Sequence, residues 1–486
     1  MLYSKVLADK LLAADEADTS LSPLALVKTF PSYNDFPVSG SVLGTKALAI
    51  DTNILYIWLG AGNSFGWYPL QYKTGFPEFS WDPLTLTYTL DNPNAYGTQY
   101  GDYFGAAVAV DGEYALVGAY GEADTPGTSN SGKVYVFSTS TGSLLYTFTN
   151  PNPVLDSQGD YFSRWAVDVS GNYGVVGAFG ERVSSTETFS GAAYIYDLAD
   201  GSLLHSLLNP NSYGQPTDDQ FGYSVAISGD YVVVGAPNED AIFNGESRSN
   251  CGIVYVYDVA TGALILTLSN PKINATTEAS NSKFGTTVAI DGDHVIVGAP
   301  FATNAGLSNV GTAFIFNVNT GALIHTIESQ TPTESWSFAS RVGISGNYAV
   351  ISSANAAAST GELYSGRIYV YDVASGVLLH TLENPNAYST PYADFMGILS
   401  IDGLYCAVGA TGEDGPTGNS IGIVYIFDVE TGQLVKTISN PDPLANSGFG
   451  GDSGVGISGG TVLIGSNGWT PGGGTNVGRA YIFKAS

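Results

Sequence analysis

The chain is 486 residues long and carries 44 Asp and Glu against 16 Lys and Arg, a formal net charge of −28. That balance excludes a general binder of phosphate backbones, which needs basic residues in excess, and argues against attraction to anionic membrane surfaces. Its two cysteines, Cys251 and Cys406, lie in different repeats far apart in the chain, so no disulfide scaffold is expected.

Residues 1–18 include Lys5, Asp9, Lys10, Asp15 and Glu16, and hold no uninterrupted apolar run of signal-peptide or membrane-spanning length. Leu2, Val6, Leu11 and Leu12, with Ala8 and Ala13, set a weak helical stripe over residues 3–16. So short a helix needs a surface to dock on. Residues 1–25 therefore read as a helical anchor segment, docking either on its own chain or into a larger assembly.

Residues 26–81 read as a small β module. Residues 45–50, the Asp51-Thr52-Asn53 turn and residues 54–59 predict a hairpin. Trp58, Trp67 and Trp81 are three of the chain's six tryptophans, enough aromatic bulk for a small core.

From residue 82 onward one unit recurs seven times. Its copies open at Phe104-Gly105, Phe162-Ser163, Phe221-Gly222, Phe284-Gly285, Phe338-Ala339, Phe395-Met396 and Phe449-Gly450, 54 to 63 residues apart. The first copy predicts strand A at 106–110, strand B at 114–119, strand C at 133–137 and strand D at 143–149. Each run is short, rich in Val, Ile, Tyr and Phe, and bounded by Gly, Asp, Asn or Pro. Asp-Gly or Ser-Gly pairs, such as Asp111-Gly112 and Ser170-Gly171, supply the positive φ of tight A–B turns. The seventh copy stops three residues after strand C, and residues 85–91 before the first copy match a strand D. Pairing these two removes both bare sheet edges. The expected fold is all-β: a seven-bladed β-propeller of four-stranded blades spanning 82–486, closed by an N-terminal outer strand.

The Phe-Gly openings, the Val-Gly-Ala-Pro ends of strand B (234–237 and 297–300) and the Val-Tyr-Val-Tyr of strand C resemble FG-GAP repeats. Integrin α-chain heads and many bacterial and viral surface proteins carry such repeats. Phe30-Pro31-Ser32, Phe36-Pro37, residues 44–51, 55–58 and Gly66-Trp67-Tyr68 resemble a small module of tailed-bacteriophage structural proteins. That second resemblance implies attachment to a virus particle.

Motifs with catalytic associations do not survive their context. Gly62-Asn63-Ser64-Phe65-Gly66 and Gly418-Asn419-Ser420-Ile421-Gly422 fit a nucleophile elbow, yet neither follows the strand-to-helix turn that an elbow requires. Gly451-Asp452-Ser453-Gly454 is the opening of the last repeat and has no matched histidine. His205, His325 and His380 share one strand D position with Tyr88, Tyr146, Leu266 and Lys436; outer strands of separate blades cannot gather them around a metal. The chain is expected not to be an enzyme.

The D–A and B–C loops are long and emerge on one face, whereas the A–B and C–D turns are tight. Three sets of acids lie on that loop face: Asp102 with Glu122 and Asp124, Asp219 with Glu239 and Asp240, and Asp394 with Glu413 and Asp414. Each set is a candidate site for a hard cation such as Ca²⁺, or else solvated loop charge. The Asp-x-Asp-x-Asp-Gly loop of integrin repeats is absent from all seven copies, which puts calcium in question. Tyr100, Tyr120, Phe179, Phe243, Trp336, Tyr392 and Trp469 on the same loops are candidate partner-binding aromatics.

Together these features predict a bacteriophage virion protein of the tail, fibre or capsid decoration, made in the host cytoplasm and released by lysis. Residues 1–81 would hold it to other virion proteins, as a homo-oligomer within the particle. The loop face would meet a neighbouring subunit, a host surface glycan or a receptor protein, with no nucleic acid or membrane involved. The alternative is a bacterial surface or extracellular-matrix adhesin.

Overall fold

The computed structural model describes residues 27–30, 46–49, 54–61, 64–69 and 80–486, apart from 94–100, 124–129, 154–158, 183–188, 211–217, 245, 274–279, 305, 331–336, 360, 362, 386–393, 415–419, 445 and 471–475. The chain divides into two compact units, Met1–Glu78 and Phe79–Ser486. The helix expected at 3–16 lies outside the described residues.

In the first unit, Val27–Phe30 pairs in parallel with Lys46–Ala49, which pairs antiparallel with Ile54–Ala61 and then Ser64–Pro69. The expected hairpin is present, and Trp58 stands in register with Trp67 on the next strand.

The second unit is a seven-bladed β-propeller of four-stranded antiparallel blades. Blade one runs Val108–Asp111, Tyr114–Ala119, Lys133–Ser138 and Leu144–Thr149, from the innermost strand outward. Burial follows position in the blade. The six residues of Lys133–Ser138 are all buried, whereas Leu144–Thr149 is mostly exposed with Phe148 turned in. Blade seven consists of Val455–Ser458, Thr461–Ser466, Arg479–Lys484 and, from the other end of the chain, Thr85–Asp91. Lys484 registers with Thr85 and Arg479 with Asp91, and Leu90 is buried in the core between blades seven and one. Main-chain bonds between Ser80 and Ser486 extend the same closure. Trp81, grouped with the small module by sequence, is buried in the propeller with its ring edge-on to Tyr405.

The repeat motif has a packing cause. Phe104, Phe162, Phe221, Phe284, Phe338 and Phe449 are at most 1% exposed and plug the core beside strand C aromatics, as Phe221 does against Tyr255. The strand B glycine lets the next blade's opening pass. A Cβ on Gly235 would lie 2.1 Å from the carbonyl oxygen of Gly285. Blade six departs from the expected register. Phe395 is 39% exposed and Met396 is fully buried, its amide bonded to Ser365 as that of Phe221 is to Ser190. That repeat opens at Met396-Gly397, one residue later than its Phe suggests, because an unbranched Met side chain fills the same cavity.

Two sets of side-chain ties join neighbouring blades. Around the inner end of the A–B turns, Asp111 accepts the amide of Gly171 (2.8 Å), Ser170 that of Gly229 (3.3 Å), and Ser228 that of Gly292 (3.4 Å). Asp291 accepts that of Gly346 (2.6 Å), Ser345 that of Gly403 (3.0 Å), and Asp402 that of Gly459 (2.8 Å). Ser458 closes the circle by donating to Asp111 at 2.8 Å. At the outer rim, Tyr88 and Tyr146 donate to the carbonyls of Ser140 and Ala199 in the next blade's C–D turn. His205, His325 and His380 do so to Ala260, Ala374 and Glu430 through Nε2, which must carry the proton because a carbonyl only accepts. Lys436 reaches Asp82, and Leu266 alone of this position packs without a polar tie, against Gly321. The three histidines are therefore rim ties on separate blades.

Candidate ligand-binding site

The acids of the loop face are built into the blades. Asp102, Asp160, Asp219 and Asp394 each stand two residues before the buried plug, and each accepts Nδ2 of an Asn that ends the preceding strand D: Asn92, Asn150, Asn209 and Asn384, at 2.8–3.0 Å. Glu122, Glu181, Glu239 and Glu413 follow strand B and accept the phenol of a strand C tyrosine, respectively Tyr135, Tyr194, Tyr255 and Tyr425. Lys133 adds an ion pair to Glu122 at 2.8 Å. Blade four shows the logic by omission. Its strand C carries Phe314 and its acid position is Ala302, both fully buried. The main-chain bond closing the loop remains, Gly311 to Ala302 as Gly132 to Glu122. In blades one, two, three and six the acid meets a buried phenol; blade five keeps a buried phenol, Tyr369, with Ala356 at the acid position.

Burial raises these carboxyls. Glu181 is pushed up to about 7 against the bonds from Tyr194 and Asn152. Asp219 reaches about 7 through burial with Asp240 nearby, and Asp394 about 7 through burial with Glu413 and Asp414. Glu122 is raised by burial in spite of Lys133 and Tyr135. Asp240 and Asp414 accept the amides of Asn250 and Ser420 within their own loops. Among the described residues, no group of three or more Asp, Glu, His or Cys is arranged to hold a metal ion. Asp124 lies outside the described residues. The second blade's pair, Asp160 and Glu181, belongs to this network and was missing from the three acid sets read in sequence; its signal was the same offset from Phe162.

The expected aromatics separate into different settings. Tyr100, Trp336 and Tyr392 lie outside the described residues, and Phe243 sits in a short hairpin, Ala241–Phe243 with Glu246–Arg248, in the B–C loop of blade three. Trp469 is covered by Arg479, whose guanidinium stands 3.6 Å from the ring centre and also bonds Asp91 and Asp442. Phe179 is buried at 5% exposure rather than displayed, because Tyr161 and Trp165 stack on it and Tyr223 tilts against it.

Tyr120 and Phe179 belong to one cluster at the loop-face end of the axial channel. The channel is a cavity of about 350 Å³ walled by the first strand of every blade. At its loop-face end stand Trp165, Tyr223, Arg341 and Ser453; at its turn-face end stand Asp111, Asp291 and Asp402 with the serines of the inner ring. Arg164 lies over three rings, with its guanidinium carbon 5.1 Å from the centre of Tyr120, 4.9 Å from Tyr161 and 4.3 Å from Trp165. Tyr103 stacks behind Tyr120 at 4.8 Å. Arg341 enters from blade five and donates to the carbonyls of Ser340 (2.9 Å) and Asp452 (3.3 Å). Arg341 lines this end of the channel, and Arg164 lies against Trp165, which lines it too, so cations from two blades flank one mouth. Burial raises Asp452 even so.

Sequence reading overlooked this mouth. Its residues occupy the second and third places after each Phe plug: Arg164-Trp165 after Phe162, Tyr223 after Phe221, Arg341 after Phe338 and Asp452 after Phe449. Superposing the repeats places those positions in one ring. Large or charged side chains in a chain with so few basic residues were the available signal.

Residues 95–137, 215–257 and 270–316 match the family model described as FG-GAP repeat. The three stretches fall on blades one, three and four, each ending in a strand C. No curated protein matches the chain significantly. FG-GAP repeats thus build part of this seven-bladed ring.

Proposed function

We infer that the protein is a non-enzymatic binding and attachment protein whose loop-rich face is its working surface. FG-GAP propellers point to binding or adhesion, and the observation that carries the reading is the placing of Arg341 in the loop-face mouth with Arg164 behind its Trp165 wall, over three aromatic rings. Two cations half-buried together are costly, since each must be stripped of water without a carboxylate in ion-pair contact among the described residues. The frame needs no such feature at its other end, where serines and aspartates tie the blades.

The specific reading is a bacteriophage virion component, bound to the particle through residues 1–81 and facing a neighbouring subunit or host surface glycan. Its support is the resemblance of residues 30–68 to a small module of phage structural proteins. The second reading, a bacterial surface adhesin, is favoured by the FG-GAP match itself. Immunogold labelling of cultures producing the protein separates them. Label on particles supports the first and label on cell envelopes the second. Label on neither contradicts attachment altogether.

A further inference from the structure

The axial mouth has the makings of a site for one kind of ligand. Arg164 holds its guanidinium over Tyr120, Tyr161 and Trp165, and its buried Nε makes no hydrogen bond. Arg341 donates to two neutral carbonyls, those of Ser340 and Asp452. Among the described residues neither guanidinium has a carboxylate within ion-pair distance, although the chain holds 44 acids. Planar guanidinium groups favour planar, forked acceptors, of which a carboxylate is the simplest. The nearest resident anion, Asp452, is held by Asn467.

Below the arginines the wall changes character. Tyr223, Thr286 and Ser453 line the upper channel, and Asp168 stands deeper, accepting the amides of Val169 (2.9 Å) and Ile227 (2.8 Å). A carboxylate can accept more bonds than those two. Hydroxyls and acceptors of this kind suit a polyhydroxylated body. The cavity, about 350 Å³, sits at the small end of the roughly 300–1,000 Å³ typical of ligand pockets. It has room for one or two sugar rings.

We propose that the loop-face mouth of the axial channel binds an acidic sugar, with Arg164 and Arg341 taking its carboxylate and the channel wall taking its hydroxyls. This rests on the reading of the loop-rich face as the binding face. Asp452 competes for the same arginines, so it lowers affinity and tunes selectivity.

Isothermal titration of the full chain with galacturonate and glucuronate, beside galactose, glucose, acetate and sulfate, tests this. The uronates should bind at least about tenfold more tightly than the neutral sugars or the simple anions, as expected for charge-assisted bonds added to a hydroxyl network. Arg341→Gln and Arg164→Met should each weaken uronate binding about tenfold or more, and Asp452→Asn should tighten it severalfold. Should Arg164→Met fail to fold, Arg341→Gln and the gain expected from Asp452→Asn still decide the matter. Equal binding of uronate and neutral sugar would overturn the proposal. So would acetate or sulfate binding as tightly as uronate, or arginine variants that bind normally. If uronates fail but the protein still labels particles or envelopes, the ligand class is wrong and the attachment reading stands. If labelling fails too, both fall.

Discussion

The two faces of the propeller solve different problems with the same repeat. On the turn face, seven short A–B turns carry only Asp or Ser before Gly, and each ties to its neighbour in the same way. On the loop face, equivalent positions hold Ala107, Trp165, Thr287, Arg341 or Asp452. Uniformity marks where the ring must close, since a single mismatched junction would propagate round it. Variety marks where no closure is required and side chains are available for recognition. The acids sharpen the contrast. Asp102, Asp219 and Asp394, with Glu122, Glu239 and Glu413, looked like loop charge but are buried acceptors for Asn and Tyr, and so belong to the frame although they sit on the loop side.

Breaking the frame should cost most. A chain starting at residue 93 lacks the closing strand, strips the cover from Arg479–Lys484 and loses Leu90, so it should aggregate on expression. A chain starting at residue 79 keeps Trp81 and the strand and should stay soluble, measured by size exclusion. If both behave alike, closure by Thr85–Asp91 is not what holds blade seven. Gly235→Val comes next, because its side chain would enter the main chain of the following blade; about 3 kcal/mol should be lost in urea unfolding.

Acid should strengthen the frame. Asp168, Glu181, Asp219 and Asp394 have folded pKa values near 7, above the roughly 4 of an unfolded carboxyl. The folded state therefore binds more protons between those limits. Its stability is greatest at the acid end of that window and falls as pH rises toward and through 7. The melting temperature should be several degrees higher at pH 5.5 than at pH 8. An unchanged or lower value would mean these carboxyls are better solvated than their burial implies.

Smaller effects separate the inner from the outer ties. Asp111→Ala removes acceptors for both Gly171 and Ser458 and should cost about 1–2 kcal/mol. His380→Leu removes one bond at an exposed rim and should cost about 0.5 kcal/mol, since blade three already carries Leu266 there. Urea midpoints for the pair rank the two rings directly.

Much of the frame was legible in the sequence because turns and plugs are local. Asp-Gly and Ser-Gly pairs, the Phe openings and the Gly, Asp, Asn and Pro residues that bound each run mark the strands, and the unmatched strand at 85–91 reveals closure. Register in blade six was not legible, since Phe395 and Met396 are both apolar and only packing chooses between them. The acids misled for a related reason. The donor to Asp219, the side-chain amide of Asn209, lies 10 residues upstream, across a loop that periodicity cannot fold. The mouth is the least local feature, assembled from blades one, two, three, five and seven, so it appears only when the repeats are wound into a ring.

Hydrogen exchange read by mass spectrometry on the full chain tests the contrast between faces most directly. Inner strands, A–B turns and the closing strand Thr85–Asp91 should exchange with one common, high protection, as a single cooperative ring. The segments around Tyr103, Tyr120 and Asp452 should open separately and sooner. A closing strand that exchanges early, or blades that open one by one, would contradict the account.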